Sequence, residues 1–234
     1  MSASPIYAEK TLAERRFLLS ADNYQKMGMA GFFQGKPKVE LLDGIIYLKY
    51  VNSQQLLISA DDYHWMGRIG VFDNQPKVEL IDGKIYTMSP FTPDHNGHVD
   101  KISEFFTVKL YGKANIRTQG SIRMNDNTEP EPDITILQYD EHFYTKKAAT
   151  AADAHLVIEV AVFTLKDDRT IKKKKYAAAG IPEYWIVAPQ KGLIEVYKQP
   201  EDGNYVQKLT YKIDDNWTFD AFDLAVTGSD FLIP

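Results

Sequence analysis

Hydrophobic and polar positions recur along this chain with a period of 39 residues. Residues 18–51 (LLSADNYQKMGMAGFFQGKPKVELLDGIIYLKYV) return as residues 57–90 (LISADDYHWMGRIGVFDNQPKVELIDGKIYTMSP), identical at 18 of 34 aligned positions. Each copy opens on Ser-Ala-Asp, which predicts a short helix with Ser20 or Ser59 as N-cap and acidic residues in the first turn. Val-Glu-Leu, Asp-Gly and Ile-Tyr follow. They predict a β-hairpin around Asp43-Gly44 in one copy and Asp82-Gly83 in the other, because that dipeptide supplies the positive φ angles of a tight hairpin turn. A stacked repeat array needs three or more units to bury a continuous core. Two copies followed by unrelated sequence read instead as a duplicated segment on a larger fold.

Farther along, Val99, Ile102, Phe105, Phe106 and Leu110 are spaced for a helix over 97–111 with one buried face. A strand over 115–124, a polar loop to Pro132 and a strand over 133–137 come next. Residues 155–163 (HLVIEVAVF) are almost continuously apolar, the pattern of a strand covered on both faces. A helix over 167–179 is stopped by Gly180 and Pro182. Strands over 184–187, 193–197, 205–211 and 217–219 complete the pattern, with Asp202-Gly203 joining two of them. Helices and hairpins interleave, so the expected class is α/β with a mixed sheet.

Composition narrows the field. Hydrophobic residues at 44% and charged residues at 25% allow a full core and exclude collagen-like, coiled-coil or wholly disordered chains. Twenty-seven basic against 32 acidic residues give a net charge of −5, which argues against coating nucleic acid by charge alone. With no cysteine there are no disulfides, thiol catalysis or cysteine-ligated metals. No stretch approaches the ~20 apolar residues of a membrane span, and the first residues lack the apolar core of a secretory signal. A cytoplasmic protein without membrane attachment is expected.

Glu159 is the residue hardest to explain as core. It stands alone in Leu156-Val-Ile-Glu-Val-Ala-Val162, and a buried glutamate needs a cation, a lysine or a metal beside it. The bland alternative is an edge strand with Glu159 in water. Asp133 opens the strand Asp-Ile-Thr-Ile-Leu after Glu-Pro-Glu-Pro. Alone it is an ordinary strand-start aspartate; beside Glu159 it makes an oxygen platform for a hard divalent cation. Lys172 begins a run of four lysines and has Asp168 four residues before it and Tyr176 four after it. The bland reading is an exposed Asp168–Lys172 helix pair worth ~0.3–0.5 kcal/mol, so that Lys172→Ala costs little stability. Glu79 lies in an amphipathic hairpin strand, where facing solvent is the default. His95 and His98 lack the surrounding pattern of a zinc motif. No phosphate-binding glycine loop and no Gly-x-Ser-x-Gly elbow is present.

Several blocks together resemble the Uma-two family of endonucleases, within the PD-(D/E)XK nuclease superfamily. They are Val78-Glu-Leu-Ile-Asp-Gly-Lys-Ile-Tyr86 with Met88-Ser-Pro, Pro93-Asp-His95, Glu131-Pro-Asp133-Ile and Leu156-Val-Ile-Glu159-Val. Asp168-Arg with Lys172, Tyr176-Ala and Ala179-Gly-Ile-Pro-Glu-Tyr-Trp-Ile-Val187 complete the set, in order from about Ser59 onward. The resemblance implies a restriction-endonuclease-like mixed central β-sheet flanked by helices, with N-terminal β-hairpins. It divides the chain into an extension over 1–56 carrying the duplicated helix-hairpin unit and a nuclease domain over 57–234.

It also implies a Mg- or Mn-dependent endonuclease acting on DNA. Asp133 and Glu159 would bind metal, joined by the Val160 carbonyl and Glu79. Lys172 would neutralise a phosphate oxygen, with His95 and Asp168 in support. Of the two equivalent hairpin glutamates, Glu79 is assigned to the site rather than Glu40, since only the second copy runs on into Met88-Ser-Pro and His95. The superfamily at large carries its lysine two residues after the Glu, where this chain has Ala161; the family's lysine on the next helix maps to Lys172. The other reading is a catalytically inactive nuclease-fold protein serving as a binding module. The first copy's hairpin is left either to extend the sheet edge or to pack against a second subunit, the latter making a homodimer.

Overall fold

The computed structural model describes residues 11–51 and 54–234. They form two compact units. One holds residues 12–90 and 125–130; the other holds Thr11, 91–124 and 131–234. The boundary expected at residues 56/57 falls inside the first of these, since both copies of the repeat belong to it.

In the repeat-bearing unit each copy builds a helix and a hairpin. The helices are α1 (Ala21–Met29) and α2 (Ala60–Arg68), capped by the Ser20 and Ser59 hydroxyls, which accept the N–H groups of Asn23 and Asp62 at 3.1 and 3.0 Å. The hairpins are β1 (Val39–Leu42) with β2 (Ile45–Leu48), and β3 (Val78–Ile81) with β4 (Lys84–Thr87). Their turns take positive φ at both central residues, 47° and 76° at Asp43-Gly44 and 50° and 69° at Asp82-Gly83, the signature of the twist-compatible hairpin turn.

The copies are interlocked. Phe17 N–H donates to Ile85 O at 2.9 Å, and its counterpart 39 residues on, Leu56 N–H, donates to Ile46 O at 2.8 Å. The segment preceding each helix therefore pairs with the other copy's hairpin, in a pseudo-two-fold exchange. Met27 and Phe32 of the first copy share one core with Met66, Val71, Leu80 and Ile85 of the second. Neither copy buries its apolar face alone.

The other unit is a six-stranded sheet in the order β10-β9-β8-β7-β6-β5. Its strands are β5 (Ala114–Thr118), β6 (Ile134–Gln138), β7 (Ala154–Val160), β8 (Glu183–Ala188), β9 (Leu193–Glu201) and β10 (Asn204–Tyr211). Only β7 and β8 run parallel, joined by a helical crossover, α4, over residues 165–178. A further hairpin, β11 (Asn216–Phe219) with β12 (Leu224–Thr227), follows.

Side chains alternate across the sheet with period two. Leu156, Ile158 and Val160 join Trp185, Phe219, Phe231 and helix α3 (Pro93–Lys109) in one core. Val157 and Ala161 join Tyr184, Ile186 and Tyr176 of α4 in another. The fold is the expected one, a mixed α/β sheet flanked by helices with hairpins N-terminal to it. Strand β5 ends sooner than expected, at Thr118, because Gln119 turns the chain with φ of 48°. Among the described residues no helix is long and apolar enough to cross a membrane.

A Cβ placed on Gly83 would stand 2.7 Å from the Leu57 Cβ, whereas one on Gly192, also at positive φ, would meet nothing within 4 Å. Gly83→Ala is expected to cost about 2–4 kcal/mol and Gly192→Ala about 1 kcal/mol in denaturant unfolding.

Candidate active site

The position of the site follows from strand register. β6 and β7 are antiparallel with Ile134 opposite Ile158, which sets Asp133 across from Glu159. Asp133 is held at both oxygens: Oδ2 accepts the Val160 N–H at 2.8 Å, and Oδ1 lies 3.0 Å from His95 Nε2. His95 comes from the first turn of α3, which begins at Pro93 rather than near Gly97 because Thr92 caps it through the His95 N–H at 3.2 Å.

β7 is an interior strand and Glu159 is 4% exposed, which removes the edge-strand reading. Its Oε1 accepts from Lys172 Nζ at 2.9 Å and from the Tyr176 hydroxyl at 2.5 Å. Lys172 and Tyr176 are four residues apart and so share one face of α4. A π turn, Asp168–Lys172, with Lys173 N–H bonded to Asp168 O, ends on Lys172 at the head of that face. Such single turns carry one extra residue and shift the helical phase of the residues after them. Asp168 is wholly buried, and its Oδ2 accepts from the Thr164 hydroxyl at 2.5 Å. The exposed-pair reading of Lys172 therefore fails: the ammonium is buried against Glu159, while Lys174 is the solvent-facing member of the run.

Burial pushes the Glu159 carboxyl up to about 8; Lys172 and the Tyr176 hydroxyl oppose this, and the charges of Asp168 and Asp133 reinforce it. At His95 burial acts to lower the pKa, but the hydrogen bond and charge of Asp133 outweigh it and raise it above the ordinary value. A contrast lies on the same sheet. Glu195 on β9 is buried too, yet Arg169, Lys208 and Tyr197 all donate to it and hold its carboxyl below the usual range against the burial. Glu195 is a satisfied structural carboxylate, whereas Glu159 is perturbed in the manner of a functional one.

Glu79 lies in the repeat-bearing unit, buried on β3 opposite Tyr86; Glu40 is half-buried opposite Tyr47. His98 is engaged in packing, with Nδ1 2.8 Å from Asp94 O and Nε2 accepting the Ile233 N–H at 3.2 Å. Among the described residues no group of three or more His, Asp and Glu side chains is arranged to hold a metal ion. The donor set nevertheless fits a hard divalent cation. Asp133 and Glu159 offer oxygens alone, and they repel each other in a way that positive charge relieves. The Tyr176 hydroxyl went unforeseen as a partner of Glu159, although its spacing four residues after Lys172 was the available signal.

A family model described as "Uma2: Putative restriction endonuclease" matches residues 60–227, well over half of the chain. The chain belongs to the Uma2 family. A crystal structure of a putative nuclease of DUF820 from Anabaena variabilis ATCC 29413 is similar in fold, with TM-score 0.53 and 17% identity over 67% of this chain and 89% of that one. No curated protein matches the sequence. The first repeat copy precedes the Uma2 match, which begins at the first residue of α2.

Lys172→Ala is expected to destabilise the protein by about 1–3 kcal/mol, limited because a Glu159 carboxyl with a raised pKa leaves no bare charge behind near neutral pH, against less than ~0.5 kcal/mol for Lys174→Ala. The Glu159 carboxyl is raised from 4.5 to about 8, so the folded chain holds a proton that the unfolded chain releases. Its contribution is thus complete below pH 4.5 and lost as pH rises towards 8. Thermal melting between those limits should fall less steeply with pH in Glu159→Gln than in the parent.

Proposed function

We propose that this Uma2 protein is a magnesium- or manganese-dependent endonuclease that hydrolyses phosphodiester bonds in DNA. The observation that carries the reading is the register of β6 and β7, which sets Asp133 beside a buried Glu159 that Lys172 already contacts. Family membership supports a nuclease; the metal, DNA as substrate and the residue roles are our own assignment.

Asp133 and Glu159 would hold the cation, which when bound supplies an acidified water and offsets charge on the phosphate. The chain's own groups do the remaining work. Lys172 brings a fixed positive charge to a scissile phosphate oxygen. His95 orients the Asp133 carboxylate through Oδ1. Tyr176 holds the Glu159 carboxylate at Oε1. Asp168 fixes the turn that presents Lys172, through its contact with Thr164.

The absence of a ready three-ligand group among the described residues favours a second reading, a silent nuclease scaffold that binds without cutting. The readings separate without any substrate. The nuclease reading expects manganese to raise the melting temperature in a manner that Asp133→Asn and Glu159→Gln each abolish; the scaffold reading expects no shift. Because Glu159 ligates only after losing its proton, calorimetry at pH 7 in buffers of differing ionisation enthalpy should show about one proton released per cation bound.

On supercoiled plasmid with manganese, Asp133→Asn, Glu159→Gln and Lys172→Ala should each reduce nicking by about 100-fold or more, while Lys174→Ala retains it. Glu79→Gln and Glu40→Gln, assayed side by side, test the choice between the copies. Loss with Glu40→Gln alone would reverse that choice.

A further inference from the structure

The two repeat copies share the main backbone hydrogen bonds of their helices and hairpins but differ along one edge. On the second copy, residues 125–130 (Asn-Asp-Asn-Thr-Glu-Pro) run beside the outer edge of β3. Glu129 N–H donates to Leu80 O at 2.8 Å and Leu80 N–H returns to Glu129 O at 3.3 Å. Gly83 N–H reaches Asn127 O at 2.7 Å, Ala60 N–H reaches Asp126 O at 2.6 Å, and Asp82 N–H reaches the Thr128 hydroxyl at 3.1 Å. One extended segment thus satisfies four outward backbone donors, from the start of α2 to the hairpin turn.

Subtracting 39 gives the same four donors in the first copy: Ala21, Leu41, Asp43 and Gly44. Among the described residues none of their N–H groups meets an acceptor. Exposure follows the same division. Ala60 and Leu80 are fully buried, whereas Ala21 is exposed and Leu41 half-buried; Ile81 is 3% exposed and its counterpart Leu42 is 51% exposed. The opposite edge of each hairpin is filled alike, by Arg16 beside Tyr86 and by Gln55 beside Tyr47. Among the described residues the β1 edge is therefore the unfilled position of an otherwise two-fold arrangement, and unpaired edges accept added strands.

We propose that the β1 edge binds an extended segment of another protein, in the register that 125–130 takes on β3. The occupant comes from a different polypeptide because the chain's own segment is already engaged on β3, and because the open copy lies outside the part matched by the Uma2 family. Its chemistry can be read from the filled copy. Backbone carbonyls meet Ala21, Leu41 and Gly44, and a hydroxyl or carboxamide side chain meets the Asp43 N–H. Where Glu129 faces His64 at 2.9 Å, the first copy offers Gln25, so the partner carries an amide or a carboxyl there without needing charge. A concavity of about 450 Å³ lined by Glu40, Leu42, Asp43, Tyr47, Leu48 and Tyr50 shares Leu42 and Asp43 with this edge and accepts an adjoining apolar side chain.

The probe is a synthetic peptide of residues 122–132 added to the full-length protein, with amide hydrogen exchange followed by NMR. Exchange at Leu41, Asp43 and Gly44 is expected to slow at least about tenfold, with Leu80 and Gly83 unchanged. The effect should disappear in Leu41→Pro, which removes an outward-facing donor on an edge strand together with a half-buried side chain. It should disappear equally with a peptide N-methylated at the position of Glu129, a control that leaves the protein unaltered. No slowing at millimolar peptide, or slowing at Leu80 and Gly83 instead, would overturn the proposal. So would slowing at 41–44 on concentrating the protein without peptide, which would give the edge to a second copy of the chain.

Discussion

A carboxylate in the middle of a buried strand cannot be left to itself, and the geometry of the sheet-bearing unit answers that requirement. Glu159 occupies an interior strand with apolar neighbours on both sides in sequence. An unpaired charge there costs several kcal/mol. The groups around it come only in part from strand pairing. Lys172 and Tyr176 descend from the crossover helix, after a π turn that sets the phase of their face. Asp133 arrives through antiparallel register, and His95 through the capped start of α3. Lys172 and Tyr176 make Glu159 tolerable in a core without fully cancelling the cost of burial, to which the Asp133 charge adds. On the proposed reading that residual cost is what makes the corner chemically useful.

Much of this was legible in the sequence, for reasons that differ by residue. The Asp-Gly turns were readable because few dipeptides accept two consecutive positive φ angles. Glu159 was readable because a lone acid in an apolar run contradicts its surroundings. The interleaving of helices with hairpins was enough for a mixed sheet. The burial of Lys172 was not readable. A run of four lysines on an ideal helix offers several equivalent faces, and the π turn that selects among them leaves no mark in hydrophobic spacing. The start of α3 was set too late because Pro93 and Gly97 interrupt the apolar period, although proline at the first helical position is itself a start signal. Strand β12 was missed because Asp220-Ala-Phe-Asp223 turns the chain without glycine, through a positive φ at Asp223.

Ala161 illustrates how the same electrostatic need can be met from another part of the backbone. In the superfamily that the sequence resembles a lysine occupies that position; here the Ala161 methyl group packs in the second core with Val157 and Tyr176. On the proposed reading the positive charge is carried by Lys172 of the helix, and the strand is released to pack as strand. Two jobs that would otherwise compete for one residue are divided between two elements.

The exchange between the repeat copies has a consequence for how this chain can change over generations. Tandem duplications are ordinarily lost as easily as they arise, since deleting either copy restores the ancestral gene. Here Phe17 is bonded to the second hairpin and Leu56 to the first, and their apolar residues fill a single core. Removing one copy strips the survivor of a strand partner and of half its packing in the same event. A substitution in either copy is likewise felt across the junction, so the two must drift together. The duplication behaves as a ratchet, easy to enter while the copies were alike and progressively harder to reverse as each became shaped to the other.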